Sequence, residues 1–194
     1  MGSVYGVFLS GTQSATRLYG TRIMAEYLRR LVDTELDELM LELPAIVLEG
    51  PKGVGKTAIA ERRARTIVRL DEPAIRAIAE ADPMQVLSGD PPILIDEWQR
   101  VPAVWDAVRR AVDHDNTPGR FLLTGSASPS SPPTHSGAGR IVNLRMRPMS
   151  LCERGANIPS VSLKRLLEGD KPDLTGRTEV NLADYVREMI HSGF

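Results

Sequence analysis

Gly50-Pro51-Lys52-Gly53-Val54-Gly55-Lys56-Thr57 satisfies every fixed position of the pattern G-x-x-x-x-G-K-[ST]. The physics behind that pattern is narrow. Glycines let the backbone curl until successive N–H groups point inward, where they can bond the oxygens of a phosphate chain. Lys56 is then placed to reach the β- and γ-phosphates, and the Thr57 hydroxyl to ligate Mg²⁺. A helix following directly would add the positive end of its dipole to the same anion site. The flanks agree with this reading. Ala45-Ile46-Val47-Leu48-Glu49 is a short apolar run suited to a buried strand, and Thr57 to Arg65 is rich in Ala, Glu and Arg without Gly or Pro, as a helix requires. The alternative is a glycine-rich turn carrying a chance lysine, and strand–loop–helix order weighs against it.

Working outward, upstream periodicity predicts a helix from about Arg22 to Glu42, stopped before Pro44. Residues 1–21 are rich in Gly, Ser and Thr and read as an extension, with Met24 an alternative start. Downstream, Thr66–Leu70 reads as a strand, Pro73 opens a helix running from Ala74 to Ala81, and Ile93-Leu94-Ile95 is a fully apolar strand. Trp98, Val101, Trp105, Val108 and Val112 fall on one face of a single helix ending near Asp113. Phe121–Thr124 and Ile141–Leu144 are further strands, separated by a loop dense in Ser, Pro and Gly from Ser126 to Gly139. Helices alternating with apolar strands predict an α/β fold: three layers, with a central parallel sheet and helices on both faces.

Ile93-Leu94-Ile95-Asp96-Glu97 supplies what a phosphate cradle lacks. Asp96 ends a buried strand, where ligands bind in open α/β sheets, and is suited to holding Mg²⁺. Glu97 follows, placed to activate water. Read alone, the acidic pair could instead cap the next helix. In Phe121-Leu122-Leu123-Thr124-Gly125-Ser126, Thr124 is the first candidate to contact a γ-phosphate and Ser126 the second, against an ordinary strand-ending turn.

Composition narrows the class further. The 194 residues suffice for one full domain, charged residues make up 25% and hydrophobic ones 42%, as in ordinary globular chains. A net charge of −1 gives no basic field for nucleic acid or anionic membrane, and no apolar run is long enough to span a bilayer. The single Cys152 precludes an internal disulfide and suits a cytoplasmic location. His114, His135 and His191 are scattered, which argues against zinc. In the tail, Leu182, Tyr185, Val186, Met189 and Ile190 form an apolar stripe that calls for a packing partner, with Gly193 placed to cap it.

Taken in order, GPKGVGKT, ILIDEWQRVP, FLLTGSA and GRIVNLRMRPMSLCE resemble the AAA+ ATPases of bacteria and archaea that carry a DEWQ-type Walker B segment and an LTGS sensor strand. The resemblance runs from about Tyr27 to Arg154. It implies a core over residues 22–154, with residues 155–194 beginning a lid or C-terminal region that continues in the family. It implies a central strand leading into the glycine loop, separated from the Asp96 strand by the Thr124 strand. It further implies that Lys56, Thr57, Asp96, Glu97 and Thr124 carry ATP chemistry.

Arg140, between a loop and a strand near an expected subunit edge, is the candidate for an arginine donated to a neighbouring copy; a solvated or structural arginine is the alternative. Arg62, Arg63 and Arg65 read as a solvated helix face, with a basic patch for nucleic acid as the alternative. The expectation is therefore a Mg²⁺-dependent ATP hydrolase serving a partner domain or a second copy, with a non-hydrolysing nucleotide switch and a small-molecule kinase as rival readings.

Overall fold

The computed structural model describes residues 27–125, 137–155, 161–173 and 180–191. Five strands form one parallel sheet: β1 (Ala45–Glu49), β2 (Thr66–Arg69), β3 (Ile93–Asp96), β4 (Phe121–Gly125) and β5 (Ile141–Arg145), in the order β2-β3-β4-β1-β5. As expected, β4 lies between β1 and β3, but β1 is not the central strand that the resemblance implied, since it stands second from the edge. The middle strand of the five is β4.

Period-2 alternation sorts the strand side chains into two cores. Ala45, Val47, Ile93, Ile95, Phe121 and Leu123 point to one face and pack under α3 (Pro73–Ala81) and α4 (Ala103–His114). Ile46, Leu48, Leu94, Leu122 and Leu144 point to the other, under α1 (Leu31–Met40) and α2 (Lys56–Glu61). Burial on both sides explains why these strands read as unbroken apolar runs.

Three elements depart from the sequence reading. The first helix begins only at Leu31, because Arg30 is extended and its N–H is captured by the Asp33 carboxylate, a helix-starting contact. Residues 22–26 lie outside the described segments. The helix carrying the two tryptophans is broken: Trp98–Arg100 form a 3-10 turn, and α4 starts after Pro102, whose ring suits a helix start but not an interior. All five stripe residues are nevertheless buried, with Trp98 and Trp105 rings 4.7 Å apart. Finally, α2 stops at Glu61.

Beyond β5 lie two short helices, α5 (Leu163–Leu167) and α6 (Leu182–His191). Four of the five stripe residues on α6 are exposed, Leu182 at 79% and Met189 at 78%, and Tyr185 is half-buried. An ion pair between Arg154 and Glu188, 2.6 Å, joins α6 to the segment after β5. Gly193 lies outside the described residues.

Candidate phosphate-binding site

The glycine loop leaves β1 at the C-terminal edge of the sheet. Gly50, Gly53 and Gly55 all adopt positive φ, at 153°, 89° and 93°, which side chains with a Cβ rarely accept. At Gly50 space adds a second constraint: a Cβ would sit 2.2 Å from the Met146 carbonyl oxygen. Gly55, left-handed, serves as N-cap of α2, so the free N–H groups of that helix start face the loop. Pro51 and Lys52 are exposed, whereas Val54 is packed into the core under α2.

Lys56 is buried, and its Nζ donates to the carbonyls of Gly50 (2.8 Å) and Pro51 (2.7 Å). Burial lowers its pKa, while Glu97 and Asp96 act in the opposite direction.

The sheet register explains how the remaining groups meet. Asp96 stands opposite Thr124, and Thr124 opposite Leu48. Leu94, Leu122 and Leu48 face α2, so with a period of two Asp96 and Thr124 face α2 as well. There Thr57 Oγ1 donates to Asp96 Oδ1 at 2.9 Å, and Thr124 Oγ1 donates to the same oxygen. Asp96 and Thr124 are both buried. Lys56 and Thr57, Asp96 and Thr124 thus converge from three places in the sequence.

Glu97 follows in the left-handed region, φ 57° and ψ 43°, a conformation that costs about 1 kcal/mol or more for a residue with a Cβ and is found where geometry serves a site. Its carboxylate accepts from Gln99 Nε2, a contact the sequence did not reveal. Gly125 makes room for it: a Cβ there would lie 2.7 Å from Gln99 Oε1.

Arg140 does not join this cluster. It precedes β5, at the edge of the sheet opposite the glycine loop, and pairs with Asp113 at 2.6 Å. Ser126 lies outside the described residues. Sequence reasoning missed a second set of groups beside the loop. The Arg30 guanidinium donates to the carbonyls of Val54 (3.0 Å) and Arg147 (2.8 Å) and to Glu153 Oε1 (3.0 Å). Arg63 is no solvated residue: it bonds Asp33 and Asp37 on α1 at 2.8 and 2.7 Å. Arg62 stacks over Tyr27, 4.2 Å from the ring centre, yet stays exposed, as does Arg65. The one available signal was Asp33 and Asp37 at helical i,i+4 spacing, an acidic pair on one face.

A parallel sheet with a glycine cradle closing on a helix start, and a buried carboxylate beside it, defines a nucleotide-binding P-loop class. The profile of the AAA domain family matches residues 42–154, more than half of the chain. The chain belongs to the AAA domain family, and so is a nucleotide-binding domain of ATPase type. Uncharacterized proteins of Mycobacterium bovis and Mycobacterium tuberculosis are each 30% identical to it over 161 residues, covering 80% of this chain. The matched region spans only 36% of the length of those relatives. Among the described residues, no helix is long and apolar enough to cross a membrane.

Proposed function

We propose that this chain binds ATP with Mg²⁺ and hydrolyses it to ADP and phosphate, in the cytoplasm, as the nucleotide-driven part of a larger assembly. The observation that carries this reading is the convergence of the Thr57 and Thr124 hydroxyls on one oxygen of Asp96, beside the glycine cradle. The residues suit Mg²⁺, which takes one or two protein oxygens and keeps several waters. Thr57 Oγ1 and Asp96 Oδ1 are such a pair. When bound, the ion neutralises charge on the β- and γ-phosphoryl oxygens.

The protein groups divide the remaining work. Main-chain N–H groups from Gly53 to Thr57 grip the phosphates, and Lys56 exchanges its loop carbonyls for phosphate oxygens. Glu97 accepts the proton of the attacking water, with Gln99 holding its carboxylate in place. Thr124, hydrogen-bonded to the metal-holding carboxylate, senses the γ-phosphate. On this reading residues 22–154 form the ATPase core, and residues 155–194 belong to a lid that ATP turnover moves. Arg140, at the end of the sheet opposite the glycine loop, would act from a neighbouring copy.

Phosphate release measured for the wild type and Glu97→Gln tests this. Glu97→Gln is expected to retain ATP binding and to lose roughly 10²-fold or more in turnover. Equal turnover in both would end the assignment of Glu97. Saturable ATP binding with no phosphate release by the wild type would favour the switch reading.

A further inference from the structure

We infer that Arg30 is a positioning residue for the phosphate grip, resting on the reading of the glycine loop as an ATP site. Arg30 lies outside the G-x-x-x-x-G-K-[ST] stretch and before the residues matched by the family profile. It is only 7% exposed, and each part of its guanidinium has a partner: Nε bonds Glu153, Nη1 the Val54 carbonyl and Nη2 the Arg147 carbonyl. Its backbone is fixed too, by the 2.6 Å bond from its N–H to Asp33.

The bond to Val54 is the one that matters for ligand. A trans peptide is planar, with its C=O and N–H directed to opposite sides. Holding the Val54 carbonyl toward Arg30 therefore holds the Gly55 N–H away from it. Gly55 is at φ 93°, a residue with little intrinsic preference, so that peptide would otherwise be free to rotate. Arg30 thus sets the direction of one amide in the middle of the anion-binding stretch. Preorganised donors bind an anion without the cost of ordering them at the moment of binding.

Glu153 sets Arg30 in turn. Its carboxylate accepts from the Ser150 N–H, the Leu31 N–H and the Ser150 hydroxyl as well as from Arg30. The guanidinium is thereby fixed between the loop and the segment that follows β5. Position and charge are both required: a lysine ammonium is a single point and cannot reach three partners in a plane at once.

The experiment measures the dissociation constant for Mg·ATP, with melting temperature of the ligand-free chain as the fold control, in the wild type, Arg30→Lys, Arg30→Gln and Glu153→Gln. Arg30→Lys and Arg30→Gln are expected to fold and to bind ATP about tenfold more weakly or worse, the loss of one charge-assisted bond. Glu153→Gln, which leaves the Val54 bond in place, is expected to weaken binding by a smaller factor. Folded Arg30 variants with wild-type affinity would overturn the inference. So would loss of the fold in both, since the side chain would then serve folding rather than the grip. A wild type that shows no saturable ATP binding would instead remove the nucleotide-site reading itself.

Discussion

Thr57 and Asp96, on α2 and at the end of β3, are joined by a 2.9 Å hydrogen bond between hydroxyl and carboxylate. This link joins two elements that are distant in sequence. Asp96→Asn preserves the size of the side chain and removes its charge. The variant is expected to lose the Mg²⁺-dependent gain in ATP affinity and about 10²-fold in turnover, the range for removing one electrostatic stabiliser. Titrations with and without Mg²⁺, alongside phosphate release, check this.

Gly50→Ala should damage the loop for two separate reasons. The backbone sits at φ 153°, and the new Cβ would meet the Met146 carbonyl oxygen at 2.2 Å. A main-chain carbonyl cannot swing aside as a side chain can. A stability loss of about 2 kcal/mol or more is expected, with weakened ATP binding. Urea unfolding midpoints compared at constant slope measure it.

Glu153 predicts an acid-side stability signature. Burial pushes its carboxyl up, but the Ser150 and Leu31 amides, the Ser150 hydroxyl and Arg30 outweigh this and hold it down at about 2, against an ordinary value of 4.5. A folded-state value below the unfolded one contributes stability above pH 4.5, and the contribution is lost as pH falls from 4.5 toward 2. The wild type should therefore exceed Glu153→Gln by on the order of 3 kcal/mol at pH 7, with the gap narrowing by pH 3. Denaturant unfolding at the two pH values decides it; a constant gap would contradict the prediction.

Trp105 is buried against Trp98 on the face of the sheet away from the glycine loop. Trp105→Ala is expected to cost about 3–5 kcal/mol of stability, the range for a large core truncation. Thermal and urea unfolding provide the measurement.

How much of this was legible in the sequence depended on the kind of signal. The strands and the glycine loop were readable because each depends on local chemistry: apolar runs of four or five residues, and glycines where φ must be positive. Asp96 and Thr124 were readable by type and place, and the register then put them on one face. Charged residues outside the glycine loop and the Asp96 strand were not readable in this way. Arg63 has the same composition signal as Arg65, yet one is locked to Asp33 and Asp37 and the other is exposed. Arg30 and Glu153 meet at 3.0 Å across more than half the chain, a distance in sequence no periodicity bridges. Pro102 was visible, but the apolar stripe running through it concealed the break it makes in the helix. The parallel topology puts Arg140 just before β5, at the end of the sheet opposite the glycine loop, a placement its position in the sequence did not disclose.

The most direct measurement is a titration of the purified chain with a fluorescent ATP analogue and Mg²⁺, in the wild type and in Lys56→Ala. Saturable binding by the wild type is predicted, weakened roughly tenfold or more when the Lys56 ammonium is removed. A wild type without a saturable signal, or a Lys56→Ala chain that binds equally well, would contradict the claim that residues 50–57 grip a nucleotide triphosphate.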